Sequence, residues 1–184
     1  MTSPKHTDFT ETTISSKTVY RGNLLHVLED EVQLPDGARS WREYVRHPGA
    51  VMMVPFLDRD TVLLVRQFRY PLGRHFLELP AGKIDRGEEP IATARRELRE
   101  ECGYAAGSWD HLATFHPCVG YSDERIELYL ARELAEAGSA PDDGEFIETR
   151  PTALAQALAW VRDGTITDAK TVIGLLWADR FRDW

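Results

Sequence analysis

Residues Gly82 to Tyr104 read GKIDRGEEPIATARRELREECGY, a charged, glycine-bearing loop that runs into a helical pattern. Pro90 stands near the first turn and Gly103 just beyond the last, the asymmetry expected at helix ends. The spacing predicts a helix over 88–102. At about 100° per residue, Glu97, Glu100 and Glu101 fall within an arc of roughly 100°, while Ile91, Leu98 and Cys102 fall on another face. One face packs, and the other carries three carboxylates in the final turn. These repel one another and oppose the negative end of the helix dipole, where cations are favoured. A hard divalent cation such as Mg²⁺ relieves both penalties, because it binds carboxylate oxygen and keeps waters and phosphates in its remaining positions. Glu97, Glu100 and Glu101 are therefore read as a metal site. The competing reading is a solvated face steadied by Arg95, Arg96 and Arg99.

Upstream of this helix, Ala50 to Phe56 and Thr61 to Phe68 are apolar, β-branched runs joined by the polar turn Leu57-Asp58-Arg59-Asp60. They are expected to pair as strands of a central sheet. Earlier still, Leu24 to Leu34 and Ala38 to His47 flank the turn signal Pro35-Asp36-Gly37 and predict a hairpin, with Trp41 and Val45 on one face. Downstream, strands are expected at Trp109 to Phe115 and Arg125 to Ala131, followed by a small acidic loop, Ala137 to Glu145. Thr152 to Arg162 and Ala169 to Phe181 place apolar residues at helical spacing, which suits amphipathic helices covering a sheet. Strands with helices on two sides make an α/β fold of α/β/α sandwich type with an N-terminal antiparallel hairpin extension. The Thr- and Ser-rich start gives a division into a mobile tail at 1–16, the hairpin extension at 17–47 and one domain at 48–184.

The whole composition agrees with one core. The chain has 184 residues, 42% hydrophobic and 28% charged, as in ordinary globular proteins. No apolar run reaches the ~18–20 residues of a membrane span, and the first residues lack the apolar stretch of a secretory signal. Cys102 and Cys118 have neither CxxC spacing nor a zinc-like histidine pattern, so a reduced, cytoplasmic setting is expected. A net charge of −8 repels a nucleic-acid backbone, whose binding depends on phosphate neutralisation. A small phosphorylated anion remains compatible, provided that metal ions bridge it to the carboxylates.

Gly82, five residues, Glu88, seven residues, then Arg96-Glu97-Leu98-Arg99-Glu100-Glu101-Cys102-Gly103-Tyr104 closely resembles the Nudix box, the signature of the Nudix hydrolase family. The resemblance implies that Glu97, Glu100 and Glu101 hold Mg²⁺, with Mn²⁺ as a substitute, and that the carbonyl oxygen of Ala81 adds a ligand. Gly82, Glu88, Arg96 and Gly103 would be the structural positions of the motif, Glu88 and Arg96 bracing loop against helix. A bound metal lowers the pKa of water and polarises phosphoryl oxygens, so the implied reaction is diphosphate hydrolysis to two monophosphates.

Outside the box, Val65-Arg66-Gln67-Phe68-Arg69-Tyr70-Pro71, Glu78-Leu79-Pro80-Ala81-Gly82, Gly120-Tyr121-Ser122-Asp123-Glu124 and Asp168-Ala169-Lys170-Thr171 resemble the ADP-ribose pyrophosphatase branch. By that likeness Arg69 and Arg46 contact the diphosphate, as suits a guanidinium fork, and Glu78 belongs to the substrate site. Either arginine could otherwise serve in a surface ion pair. Trp41 corresponds to an aromatic that stacks on the base where relatives exchange the hairpin across a homodimer; the alternative is a hairpin core residue. Glu145, on Asp142-Asp143-Gly144-Glu145-Phe146, resembles the loop glutamate that positions or deprotonates water alongside Glu100 and Glu101, with Glu148 the second choice. Val119 departs from the branch, whose members often have proline there. That departure keeps open GDP-mannose or another nucleotide sugar, and a non-catalytic ADP-ribose sensor is a third reading that the intact carboxylates disfavour.

Overall fold

The computed structural model describes residues 8–138, 144 and 146–181. The chain forms two compact units, one running to His47 and including Cys118–Glu124, the other made of Pro48–Pro117 and the chain from Arg125 onward.

The first unit is an antiparallel sheet of β1 (Thr12–Arg21), β2 (His26–Gln33) and β3 (Arg39–Arg46) in that order. The expected hairpin is β2–β3, and it closes through Leu34 N–H to Ala38 O at 2.8 Å, with Gly37 at φ 87°, a left-handed turn position that suits glycine. Strand β1 corrects the expected tail over 12–16. Thr12 to Ser16 pair with β2 from Thr12 opposite Gln33 to Ser16 opposite Asp30. Thr12, Thr13 and Ile14 are β-branched, and that preference acts even in a strand exposed along its whole length. Residues 1–7 lie outside the described residues. The Cys118–Glu124 segment runs beside β3, with Val45 N–H bonded to Tyr121 O at 2.8 Å.

The second unit contains β4 (Ala50–Pro55), β5 (Thr61–Arg69), β6 (Arg74–Glu78), β7 (Ala81–Lys83), α1 (Pro90–Cys102), β8 (Tyr104–Phe115), β9 (Ile126–Glu136), β10 (Ile147–Ala153), α2 (Leu154–Asp163) and α3 (Ala169–Phe181). Two sheets run β7-β4-β9-β8 and β10-β5-β6, and β4 pairs with β9 in parallel. The expected pairing of β4 with β5 is thus corrected: they lie in different sheets and touch at the isolated bridge Phe56–Val62. Each strand is apolar on both faces, so each takes a central place with a strand on either flank. The Leu57–Asp60 turn, held by Asp58 Oδ1 on the N–H groups of Asp60 and Thr61, carries the chain from one sheet to the other.

Alternation along β4 builds the layers. Val51 and Met53 pack with Ala94, Leu98 and Cys102 of α1, whereas Met52 and Val54 pack with Leu154 and Ala157 of α2 and Leu175 and Ala178 of α3. Helices on both faces make the expected α/β/α sandwich, and each such fully buried aliphatic side chain contributes about 1.5–3 kcal/mol. Gly174 lets α3 approach closely, since a Cβ there would lie 2.5 Å from Leu79 Cδ1 and 2.9 Å from Met52 Cε. Among the described residues no helix is long and apolar enough to cross a membrane.

Candidate active site

Helix α1 starts at Pro90 and ends where Gly103, at φ 76°, donates its N–H to Arg99 O. Its inner face buries Thr93, Ala94, Leu98 and Cys102, and Glu101 with them. The helical angles place Glu101 on an exposed coordinating face, but only 7% of it is accessible. Beside it runs the edge strand β7. Ala81 N–H donates to Glu101 Oε2 at 3.1 Å, and Gly82 is so close to Glu97 that a Cβ would sit 1.9 Å from both its Cδ and Oε1. Two of the three carboxylates therefore lean on the Ala81-Gly82 backbone.

Arg96 organises the rest. Its Nη1 donates to Glu97 Oε1 at 2.8 Å and Glu100 Oε2 at 2.9 Å, while Nε and Nη2 fork onto Glu88 at 3.2 and 3.0 Å. Thr93 Oγ1 adds a 2.8 Å bond to Glu88 Oε2. The Arg96 guanidinium, helped by Thr93 against the opposing effect of burial, holds the Glu88 carboxyl down from 4.5 to about 2; Glu88 in turn raises Arg96 above its ordinary value. Among the described residues no cluster of three or more His, Cys, Asp or Glu side chains stands in metal-holding geometry, and Glu97 and Glu100 converge on Arg96.

A depressed folded-state pKa gives stability that is present above the unfolded value and lost as pH falls through the folded one. For Glu88 that window runs from pH about 4.5 down to about 2. The wild-type Tm should therefore fall more steeply across the window than that of Glu88→Gln, which has no proton to take up. Parallel Tm curves would show that the brace contributes nothing to folding.

A second cluster stands where β5, β6 and α3 meet. Arg69 Nε and Nη2 fork onto Glu78 Oε1 and Oε2, both at 2.7 Å, and Glu78 is 2% exposed. Lys170 Nζ bonds the same Oε2 and lies 2.9 Å from Asp168 Oδ2. Asp168 also accepts from the N–H and Oγ1 of Thr171, whose Oγ1 accepts from Leu79 N–H. Burial opposes ionisation of Glu78, but Arg69 and Lys170 outweigh it and keep its carboxyl below the ordinary value. A cavity of about 430 Å³ opens here, lined in part by Arg69, Leu72, Arg74, Phe76, Glu78 and Lys170. The Arg74 guanidinium lies 4.4 Å from the centre of the Phe76 ring.

The structure thus brings Glu97, Glu100 and Glu101 together with Ala81, Gly82, Glu88 and Arg96, and separately joins Arg69 to Glu78. Lys170 and Asp168 have no individual role on sequence grounds and stand there only within a motif. A lysine and an aspartate at the start of an otherwise apolar helix are the signal that could have singled them out. Trp41 and Arg46 belong to the first unit. Trp41 is 59% exposed on β3, so the reading as a hairpin core residue fails. Arg46 donates to Tyr44 Oη at 3.1 Å and lies 3.9 Å from Asp123, a surface ion pair. Glu145 lies outside the described residues. Glu148, on β10, accepts from Arg150 at 3.0 Å and pairs with Arg66 at 3.5 Å; Arg150 above all lowers its pKa, which makes it a weaker base.

Residues 46–172 match the family model described as the NUDIX domain, and residues 11–45 match the nucleoside diphosphate sugar hydrolase N-terminal domain. The chain belongs to the Nudix hydrolase family. Among its relatives, a Bacillus methanolicus protein named methanol dehydrogenase activator is 38% identical over 169 residues, 91% of either chain. An ADP-ribose pyrophosphatase of Bacillus subtilis (strain 168) is 39% identical over 167 residues, 90% of either chain. A crystal structure of an ADP compounds hydrolase superposes with a TM-score of 0.86 at 25% identity, covering 96% of each chain.

Proposed function

We propose that this Nudix hydrolase cleaves the diphosphate linkage of a nucleoside diphosphate sugar, ADP-ribose foremost, to give AMP and ribose 5-phosphate. The observation that carries this reading is the placement of Glu97 and Glu101, at the end of α1, against the Ala81-Gly82 backbone, with Glu100 tied to Glu97 through Arg96. The donor set fits a hard dication, since it is all oxygen and Gly82 leaves the space that a side chain would take from Glu97. Mg²⁺, or Mn²⁺ in its place, would be held by Glu97, Glu100, Glu101 and the Ala81 carbonyl, and when bound supplies charge to phosphoryl oxygens and acidifies water.

The chain's own groups do the rest. Arg96, already bonded to Glu97 and Glu100, orients those carboxylates and is itself anchored by Glu88. Glu145 is proposed to take the proton from the attacking water, which reaches phosphorus as the bond to the leaving phosphate oxygen breaks. Arg69, half-exposed at the cavity while its fork rests on Glu78, is proposed to grip the diphosphate, with Arg46 a second contact and Trp41 a stacking surface for the base. The proposal includes a homodimer formed through the 17–47 segment, upstream of the 48–184 domain, and a cytoplasmic setting.

Val119, standing where members of the ADP-ribose branch often have proline, supports a second reading in which GDP-mannose or another nucleotide sugar is preferred. Product analysis and kcat/KM for a panel of nucleotide sugars with Mg²⁺ separate the two. AMP and ribose 5-phosphate are the expected products, with ADP-ribose ahead of GDP-mannose by at least about tenfold. The reverse order supports the second reading, and binding of ADP-ribose without turnover supports the sensor.

A further inference from the structure

We propose that Lys170 is a positioning residue: it takes over the charge of buried Glu78 so that the Arg69 guanidinium is released to an anionic substrate. This inference rests on the reading of Arg69 as a substrate ligand. Glu78 is nearly inaccessible, at 2%, and Arg69 closes both of its oxygens in a fork. The Arg69 side chain itself is 41% exposed and lines the cavity. It is reachable by a phosphate, yet already engaged.

Withdrawing a sole partner from a buried carboxylate is costly, because the stranded charge has neither water nor a counter-ion. With Arg69 alone on Glu78, the fork would stay shut and an incoming phosphate would have to compete with it. Lys170 changes this balance. It reaches Glu78 Oε2 from a different element, α3, so its contact does not depend on where Arg69 points. Asp168 holds Lys170 at 2.9 Å and is fixed in turn by Thr171, a residue with no accessible surface that also bonds Leu79 N–H. Glu78, Asp168, Arg69 and Lys170 together sum to zero charge. When Arg69 turns to the substrate, its positive charge is spent on phosphate, and Lys170 remains on Glu78.

The test is a double-mutant cycle in the full-length enzyme with ADP-ribose and Mg²⁺. Lys170→Met should raise KM on the order of tenfold and change kcat much less, because it tightens the hold of Glu78 on Arg69 without reaching the reacting atoms. Lys170→Arg keeps the charge and should return KM toward wild type. In a Glu78→Gln background there is no carboxylate to compensate, so Lys170→Met should change KM by less than about threefold. A lysine that touched substrate directly would give the same KM effect in both backgrounds, and that result overturns the proposal, as does an unchanged KM in Lys170→Met. Arg69→Met distinguishes the underlying reading. If its KM is that of wild type, Arg69 is not a substrate ligand; if its KM rises while Lys170→Met is silent, only the role of Lys170 fails.

Discussion

Glu101→Gln is expected to lower kcat on the order of a thousandfold, equivalent to about 4 kcal/mol of transition-state stabilisation. Glutamine keeps the shape and an oxygen that can accept from Ala81 N–H, now 3.1 Å from the Glu101 carboxylate. What it removes is one negative charge from a group that is 7% exposed. Removing that charge weakens attraction for a dication, and a buried site screens the loss far less than water would. The fold should tolerate the change, because three crowded carboxylates become two. Tm at or above the wild-type value with turnover lost is the expected pairing. Near-normal kcat in Glu101→Gln would separate this carboxylate from the chemistry.

Gly82→Ala is the second large effect, and its cause is purely steric. Gly82 is not among the left-handed glycines, so alanine meets no backbone strain there. Its Cβ, however, would lie 1.9 Å from Glu97 Cδ and Oε1 and 2.5 Å from Oε2, distances that no side chain tolerates. The Glu97 carboxylate, at the far end of a flexible chain, has to move. A displacement of about 1 Å at a catalytic group commonly costs roughly a hundredfold in rate, and kcat should fall by about that much with little change in circular dichroism. Wild-type kcat in Gly82→Ala would mean that the position of Glu97 against β7 does not matter to turnover.

These two residues also mark what the sequence made legible. Helix α1 could be read because its period, its proline and its closing glycine all act within a few residues, and the crowding of Glu97, Glu100 and Glu101 is a property of one turn. The nearness of Gly82 to Glu97 was present only as a motif spacing; the steric reason appears once β7 pairs with β4 and lies beside the helix. The burial of Glu101 could not be read from helical angles alone, since it depends on Ala81 arriving from another element. Strand β1 escapes a sequence reading because it has no alternation: every residue is exposed, so no apolar period announces it. The pairing of β4 with β5 misleads for the opposite reason. Two apolar runs across a tight turn look like a hairpin, and only the partners β9 and β10, far along the chain, decide that they part into two sheets. Lys170 has no legible role in the sequence because its contact with Glu78 spans 92 residues.

The Arg96 network links both levels. Its single positive charge bonds Glu88 and two of the three carboxylates on α1 and offsets part of the negative charge crowded at that helix end, leaving the cluster anionic. A guanidinium bonded to Glu97 and Glu100 leaves the remaining oxygens of the cluster to other partners. The central claim is that those partners include dications that bring a diphosphate to water. Anomalous diffraction from crystals grown with Mn²⁺ and a non-hydrolysable ADP-ribose analogue tests this directly. The expected result is manganese peaks bonded to Glu97, Glu100 and Glu101 and to the analogue's phosphate oxygens. An ordered analogue with no manganese at those carboxylates would contradict it.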